Sequence, residues 1–467
     1  MSESKQTNVS NPMGSLPIAT LIRKFSVPSI ISMLVGSLYN IVDQFFIGRN
    51  VGELGNAATS IAFPLSTACL AIALLFGIGG ASAFGIALGE NKKDDAAGYM
   101  GNSALISFIC GIILMILSEL FLRPMLLFFG SSESILPYAM EYTRITALGF
   151  PMLITSITCG HLIRADGRPG ISMICNLTGA IINTILDAIF VSVLGMGMTG
   201  AAVATIIGQY ISAFLAIYYM TKTRTVHLRR ANFVPRKDYM LRPISLGAAP
   251  SLNQLAILVV QVVFNNSLRY YGTRSVYGPD TPIAVVGIVS KVNAVFMSFV
   301  IGMSQGLQPI ASFNFGARKY GRVRESYIKT MTVGAIMAVA AWAVFQIFPL
   351  EIIRTFIRFE TNTPEEIEIA NRFYGFAVNF LRVFLFFTLL NFIQPITSNF
   401  FTAIGKAKVG TFLSLTRQII FLLPLVILFP LFMGLDGIMY AAPVADLAAA
   451  LVSAVLVIRQ LIALKDA

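Results

Sequence analysis

An all-α polytopic membrane protein, with twelve transmembrane helices arranged as two parallel six-helix repeats, is predicted by three observations. Of 467 residues, 56% are apolar and only 12% are charged, with a mean hydropathy of +0.76. Apolar runs long enough to cross a bilayer recur from near residue 17 to residue 464 with only short polar breaks. The two halves of the chain also resemble each other. Soluble domains carry about 25% charged residues, so this composition excludes an ordinary soluble protein.

A hydrocarbon core of roughly 30 Å needs about 20 helical residues. Twelve runs reach that length, at 18–47, 55–88, 99–122, 136–163, 170–194, 199–221, 244–270, 282–315, 326–349, 369–403, 408–432 and 437–461. Residues 1–15 form a polar tail without the short apolar core and small-residue site of a cleaved signal. Six spans then fall in 16–221 and six in 244–464, on either side of a linker at 222–243.

The net charge of +12 could suggest nucleic acid, but the basic residues sit between the apolar runs, so no nucleic-acid partner is expected. Lys and Arg mark the cytoplasmic side. With both termini inside a plasma (inner) membrane, 23 basic residues fall inside, Lys5 among them, and seven outside, Arg358 among them. The densest group, Lys222, Arg224, Arg229, Arg230, Arg236, Lys237 and Arg242, lies in the linker. Cys69, Cys110, Cys159 and Cys175 lie in or beside apolar spans without CxxC spacing, which reads as packing rather than disulfides or zinc.

The halves align in order and at near-constant offset. Pro28 falls opposite Pro250, Asp43 opposite Asn265, Gly79 opposite Gly306, and Gly89-Glu-Asn-Lys-Lys opposite Gly316-Ala-Arg-Lys-Tyr, the last two pairs offset by 227. Arg164-Ala-Asp-Gly-Arg matches Thr402-Ala-Ile-Gly-Lys. An even number of spans per half makes the repeats parallel, the arrangement of transporters that rock one bundle against another. No Walker loop is present. The glycine-rich stretch at 76–85 lies inside a span, where it favours close helix packing. Only two histidines exist, His161 and His227, in no metalloprotease-like pattern, so an enzyme is not expected.

A carboxylate at the centre of a membrane helix costs about 2.5–3.5 kcal/mol on insertion scales and usually faces the protein interior or water. Asp43 and Asp187 are such residues. Tyr39 and Asn40 precede Asp43 by one turn, and Asn176, Asn183 and Asp187 form a stripe on the fifth span. Thr205, one turn into the sixth span, falls at a similar depth. These positions suggest a cation site in the outer half of the first bundle, with Asp43 and Asp187 as acids and Asn183 and Thr205 as neutral oxygen ligands. In the second half Asn265 and Leu425 stand opposite the two acids, so coupling is expected to be asymmetric. Lys291, Arg382, Arg417 and Asp446 remain there, with Lys291 expected in the cavity and Asp446 near a basic neighbour.

Pro28, the Tyr39-Asn40-x-x-Asp43-x-x-Phe46-Ile47-Gly48 ending of span one, the Asn176, Asn183, Leu186-Asp187 stripe and Gly200-Ala-Ala-Val-Ala-Thr205 resemble the multidrug and toxic compound extrusion (MATE) family, most closely its bacterial MepA-like branch. The resemblance covers about residues 16–464. It implies a V-shaped, monomeric antiporter that expels amphipathic, cationic drugs in exchange for Na⁺ or H⁺, with no other cofactor, and membrane lipid as its surroundings. It also implies that Asp43, Asn183, Asp187 and Thr205 hold the cation. The seventh span lacks the acid that some members use, so a second site of that kind is not expected. Drug contacts are expected from Met33, Tyr39, Phe63, Met297 and Met303, with Asn40, Asn176, Asn265 and Lys291 as polar candidates. A flippase for a lipid-linked precursor is the alternative function, since distant relatives share this architecture.

Overall fold

In the computed structural model, which describes residues 11–278, 280–357, 359 and 363–465, the chain is helical nearly throughout. Lys5, Arg358 and the first ten residues of the tail lie outside the described residues. The first six spans are Ile18–Asn50, Glu53–Gly89, Lys93–Leu120, a fourth formed by Leu136–Ala147 and Phe150–Ala165, then Pro169–Val193 and Gly197–Thr221. The second six are Lys237–Gly272, Asp280–Gly316, Tyr320–Ile347, Pro364–Ala403, Ala407–Met433 and Leu435–Ala463. The fourth bends by 53°, where Pro151 at the start of its second segment removes a backbone donor. The seventh helix begins at Lys237, seven residues before the boundary read from hydropathy, because a polar first turn carrying Asp238 continues the helix beyond the apolar run.

Backbone conformation repeats along with the sequence. Among the described residues, the non-glycine positions with positive φ are Asn91 (63°) and Arg318 (56°), which the offset of 227 makes equivalent. Gly167 (85°) and Gly405 (80°) likewise end the fourth and tenth spans in the same left-handed turn. An L side chain is strained there, so the same local solution at matched positions is the mark of a duplicated structure.

Packing follows the same exchange. An ideal Cβ on Gly89 would lie 2.2 Å from the Phe313 carbonyl oxygen, and one on Gly316 would lie 2.1 Å from that of Ile86. Ile86 and Phe313 are themselves 227 apart, so the contact reads the same with the halves interchanged. The second span meets the seventh through Gly79 and Gly247, whose added Cβ atoms would come within 2.0 Å of the Pro243 oxygen and 1.8 Å of the Leu75 oxygen. The eighth meets the first through Gly302 against Ile30 and Gly306 against Ser26. Lipid tails are as apolar as leucine, so helices in a membrane gain by letting backbones approach, and only glycine allows these distances. Gln308 adds hydrogen bonds from its Nε2 to the Ile78 carbonyl (2.8 Å) and to Ser82 Oγ (2.9 Å).

All these contacts fall toward the end of the molecule that carries the linker. The turn at Pro12–Ser15 reinforces that end. Arg322 Nη2 donates to the carbonyls of Met13 (3.2 Å) and Leu16 (2.6 Å), and Lys319 Nζ to that of Gly14 (2.9 Å). Met13 is buried beside Phe313 and Leu21 in a cluster drawn from both halves. Toward the far end Leu38, Asn40, Asn265 and Lys291 are exposed. Gly247→Ala is therefore expected to push the second and seventh spans apart at a cost of about 1–3 kcal/mol. Gly287→Ala, where nothing lies within 4 Å, should be neutral or stabilising by up to about 1 kcal/mol. Thermal unfolding of the two variants in detergent checks the difference.

Candidate cation site and cleft

The fifth and sixth spans join through a short turn in which Gly195 (φ 63°) and Gly197 (φ 57°) take conformations that other residues rarely adopt. The tight hairpin brings the two helices face to face. They touch about three to four turns from the hairpin through Gly179 and Gly208, each within 3 Å of the other's carbonyl oxygen if a Cβ were added. This approach sets Asn183 opposite Thr205, with Asn183 Nδ2 donating to Thr205 Oγ1 at 3.5 Å. Asp187 follows one turn later and ends the regular α-helix. The next six residues, Ala188–Val193, widen into π-helical turns, a distortion common at functional sites.

The first span packs against the fifth and brings Asp43 to the same place. The Asp43 and Asp187 carboxyl groups meet within reach of a shared proton. Asp43 is 9% exposed, Asp187 1% and Asn183 3%. Asp43 Oδ1, both Asp187 oxygens and Asn183 Oδ1 are buried without a hydrogen-bond partner among the described residues. Such oxygens are costly in a low-dielectric interior unless a cation or a proton joins them. No group of three or more His, Cys, Asp or Glu gathers among the described residues. A cation held here would therefore complete its shell with neutral oxygens, which suits a hard ion such as Na⁺.

Two phenols flank the acids. Tyr39 lies beside both carboxylates, and Tyr142, on the first segment of the fourth span, neighbours Asp43, Asp187, Tyr39 and Thr205. Tyr142 was not singled out from sequence. It sits between Glu141 and Arg144 in a segment of mixed polarity, and no spacing marks it before the bent fourth span carries it to the site.

The proposed cleft residues divide. Beside the acids, Val35, Leu38, Tyr39 and Val42 of the first span and Ala180, Ile181, Thr184 and Ile185 of the fifth line an apolar groove of about 260 Å³. Asn40 is exposed, but its Nδ2 turns back to the Gly36 carbonyl at 2.9 Å. Asn176 and Met297 are half-buried, Phe63 is 59% exposed, and Asn265 accepts from Gln261 Nε2 at 2.9 Å. Met33 Sδ contacts Gln305 Nε2 at 3.7 Å across the seam between the first and eighth spans. Met303 is a correction: at 1% exposure it is packed inside the wall, because its neighbours Gly302 and Gly306 press the eighth span against the first.

The second half carries a different solution. Arg417, in the π-helical turns Thr416–Leu422 of the eleventh span, binds Asp446 of the twelfth through its Nε. Asp446 is 4% exposed. A carboxylate already neutralised by a guanidinium has no need of an exchangeable ion. Arg417→Met is expected to strand Asp446 and destabilise the chain by about 3–5 kcal/mol, whereas Arg417→Met with Asp446→Leu should recover most of that loss. Melting temperatures of the single and double variants check this.

The MatE family model matches residues 28–189 and 256–428, one block in each half. Multidrug export protein MepA of Staphylococcus haemolyticus is 26% identical over 90% of this chain and 89% of its own length, and the protein of that name from Staphylococcus aureus MSSA476 is 25% identical over 94% of both. Among solved structures, an outward-facing multidrug resistance MATE family transporter of the MOP superfamily superposes with a TM-score of 0.88 at 21% identity, over 97% of this chain and 98% of that one. A MOP superfamily transporter from Pyrococcus furiosus, with a binding pocket of reverse polarity that suggests a different function, gives the same score, identity and coverage. The fold is thereby shared, and function has to be argued from the residues.

Proposed function

The chain belongs to the MatE family, and we propose that it is a secondary multidrug exporter, driven by exchange of Na⁺ or H⁺ at Asp43 and Asp187. One observation carries this reading: two buried carboxylates meet with no donor to satisfy them, beside an apolar groove that has Tyr39 in its wall. Asn183 and Thr205 supply neutral oxygens, and Tyr39 and Tyr142 close the site around the ion.

Residues 16–221 and 244–464 act as the two moving bundles, joined by 222–243, with both termini cytoplasmic in the inner membrane of a bacterium. The glycine seams close the linker end, so the cleft faces the opposite side. Arrival of the cation from that side pulls the first and fifth spans together around the acids. The groove between them narrows, and an amphipathic cation held there is expelled. Alternating access follows when the seams part and the ion leaves toward the linker end. A cationic substrate suits the site because the same two acids attract it, so ion and drug compete for one charge pair. The chain works as a monomer in lipid and needs no cofactor beyond its coupling ion.

A lipid-linked precursor carries anionic phosphate and would call for several basic side chains in the cleft. Arg382 instead donates from Nε to the Gln346 carbonyl at 3.2 Å, which leaves Lys291 as the basic member of the cleft candidates. The flippase reading is not favoured. In cells expressing the chain, ethidium efflux is expected, and Asp187→Asn and Asp43→Asn should each reduce it to the level of cells lacking the chain while surface expression persists. Efflux unchanged in both variants would overturn the assignment. In vesicles, imposing a Na⁺ gradient and a pH gradient separately identifies the ion by which of them drives uptake.

A further inference from the structure

The linker between the sixth and seventh spans is folded onto the membrane end of the first half. Asn102, more than two turns into the third span, donates from Nδ2 to the Asn232 carbonyl (2.9 Å) and accepts from the Arg236 backbone N–H (2.9 Å). Asp166, in the turn after the fourth span, accepts from the backbone N–H groups of Arg224 and Thr225 (both 3.1 Å) and from the Thr225 hydroxyl (2.5 Å). An ideal Cβ on Gly101 would lie 2.5 Å from the Asn232 carbonyl oxygen, so the contact is tight. Tyr239 then donates to Asp95 Oδ1 at 3.0 Å. The segment is thus pinned at both ends and in its middle.

On the linker's side the pins use backbone atoms and the Thr225 and Tyr239 hydroxyls and none of the basic side chains; Lys222 reaches only the neutral Tyr218 hydroxyl. Lys222, Arg224, Arg229, Arg230, Arg236 and Lys237 are all exposed. Among the described residues none of the six has a carboxylate within 4 Å. Asp238 is the single acid between residues 222 and 243. Val234 and Leu241 stand 52% and 64% exposed within the same stretch. Since the sixth helix ends at Thr221 and the seventh begins at Lys237, every one of these residues lies close to a membrane surface. Positive charge needed only for orientation during insertion would be served equally by a loose loop. Here six cations are held in place, unneutralised, around two aliphatic side chains at the level where phosphates and acyl chains meet.

We propose that the docked linker is a binding surface for anionic phospholipid headgroups of the adjoining leaflet. The guanidinium and ammonium groups take the phosphodiesters, and Val234 and Leu241 dip among the upper methylenes. Because the linker is pinned to the first half, this surface holds the membrane end of that half, together with the first turns of the seventh helix, against the leaflet.

The test uses the full chain in phosphatidylcholine vesicles containing trace spin-labelled phosphatidylglycerol or spin-labelled phosphatidylcholine. The fraction of each label immobilised at the protein boundary is read by electron paramagnetic resonance. The wild-type chain is expected to prefer phosphatidylglycerol, and 1 M salt, where screening acts within about 3 Å, should weaken the preference. Joint substitution of Arg224→Gln, Arg230→Gln, Arg236→Gln and Lys237→Gln keeps the backbone pins and should bring the ratio of the two lipids close to one. Joint substitution of Arg49→Gln, Arg123→Gln, Arg269→Gln and Arg354→Gln, at the opposite end, should leave it unchanged. No preference in the wild-type chain would overturn the proposal without any variant. So would a preference that survives the linker substitutions, or one lost equally in the opposite-end control.

Discussion

A polar group inside a bilayer finds no water, so it must be satisfied within the protein or be there for a reason. That constraint shapes the whole chain. It forces the backbone into helices, and it turns hydroxyls of the spans back to their own carbonyls, as Ser29 does to Phe25 and Thr178 to Ile174. It also makes the exceptions informative. Arg417 and Asp446 obey the rule by neutralising each other, whereas Asp43 and Asp187 break it together, at one place and on the same side of the membrane. The two halves differ in this respect: one neutralises its buried acid with a fixed guanidinium, and the other leaves its buried carboxylate oxygens without a donor among the described residues.

Close packing does the work that hydrophobic burial does in a soluble protein. The sealed end rests on glycines whose added methyl groups would collide with backbone, and such an interface is intolerant of small errors yet free of strong bonds. Both properties suit a seam that closes fully and still parts. The hydrogen bonds that cross it from Gln308 to Ile78 and Ser82 are made by neutral groups, and Arg322 and Lys319 add charged donors to backbone carbonyls at its edge.

Much of this was legible in the sequence because membrane segments are constrained by length and by charge, which leave plain marks. The twelve spans were read close to their observed ends, and the offset of 227 anticipated positions that share a turn, such as Asn91 and Arg318. Asp43, Asn183, Asp187 and Thr205 could be singled out because polar residues are scarce there. Three features were not legible. Tyr142 depends on a 53° bend that hydropathy does not register. The π-helical turns after Asp187 leave no compositional trace. Met303 looks like a cleft residue by type, and only the glycines on either side of it, read as a contact seam, put it inside the wall.

The turn at Pro12–Ser15 has its own consequence for how the molecule is made. Met13 and Leu16 are held by Arg322, more than 300 residues further along. At synthesis rates of roughly 5–20 residues per second, about 15–60 s pass between the appearance of the turn and that of its partner. Throughout that interval eight spans are threaded into the membrane while the chain's beginning stays unfastened. The closed end is therefore a late event in biogenesis, completed only when the ninth span has begun. A nascent chain that stalls earlier leaves its glycine seams without their opposite faces, exposed to lipid and to other unfinished chains.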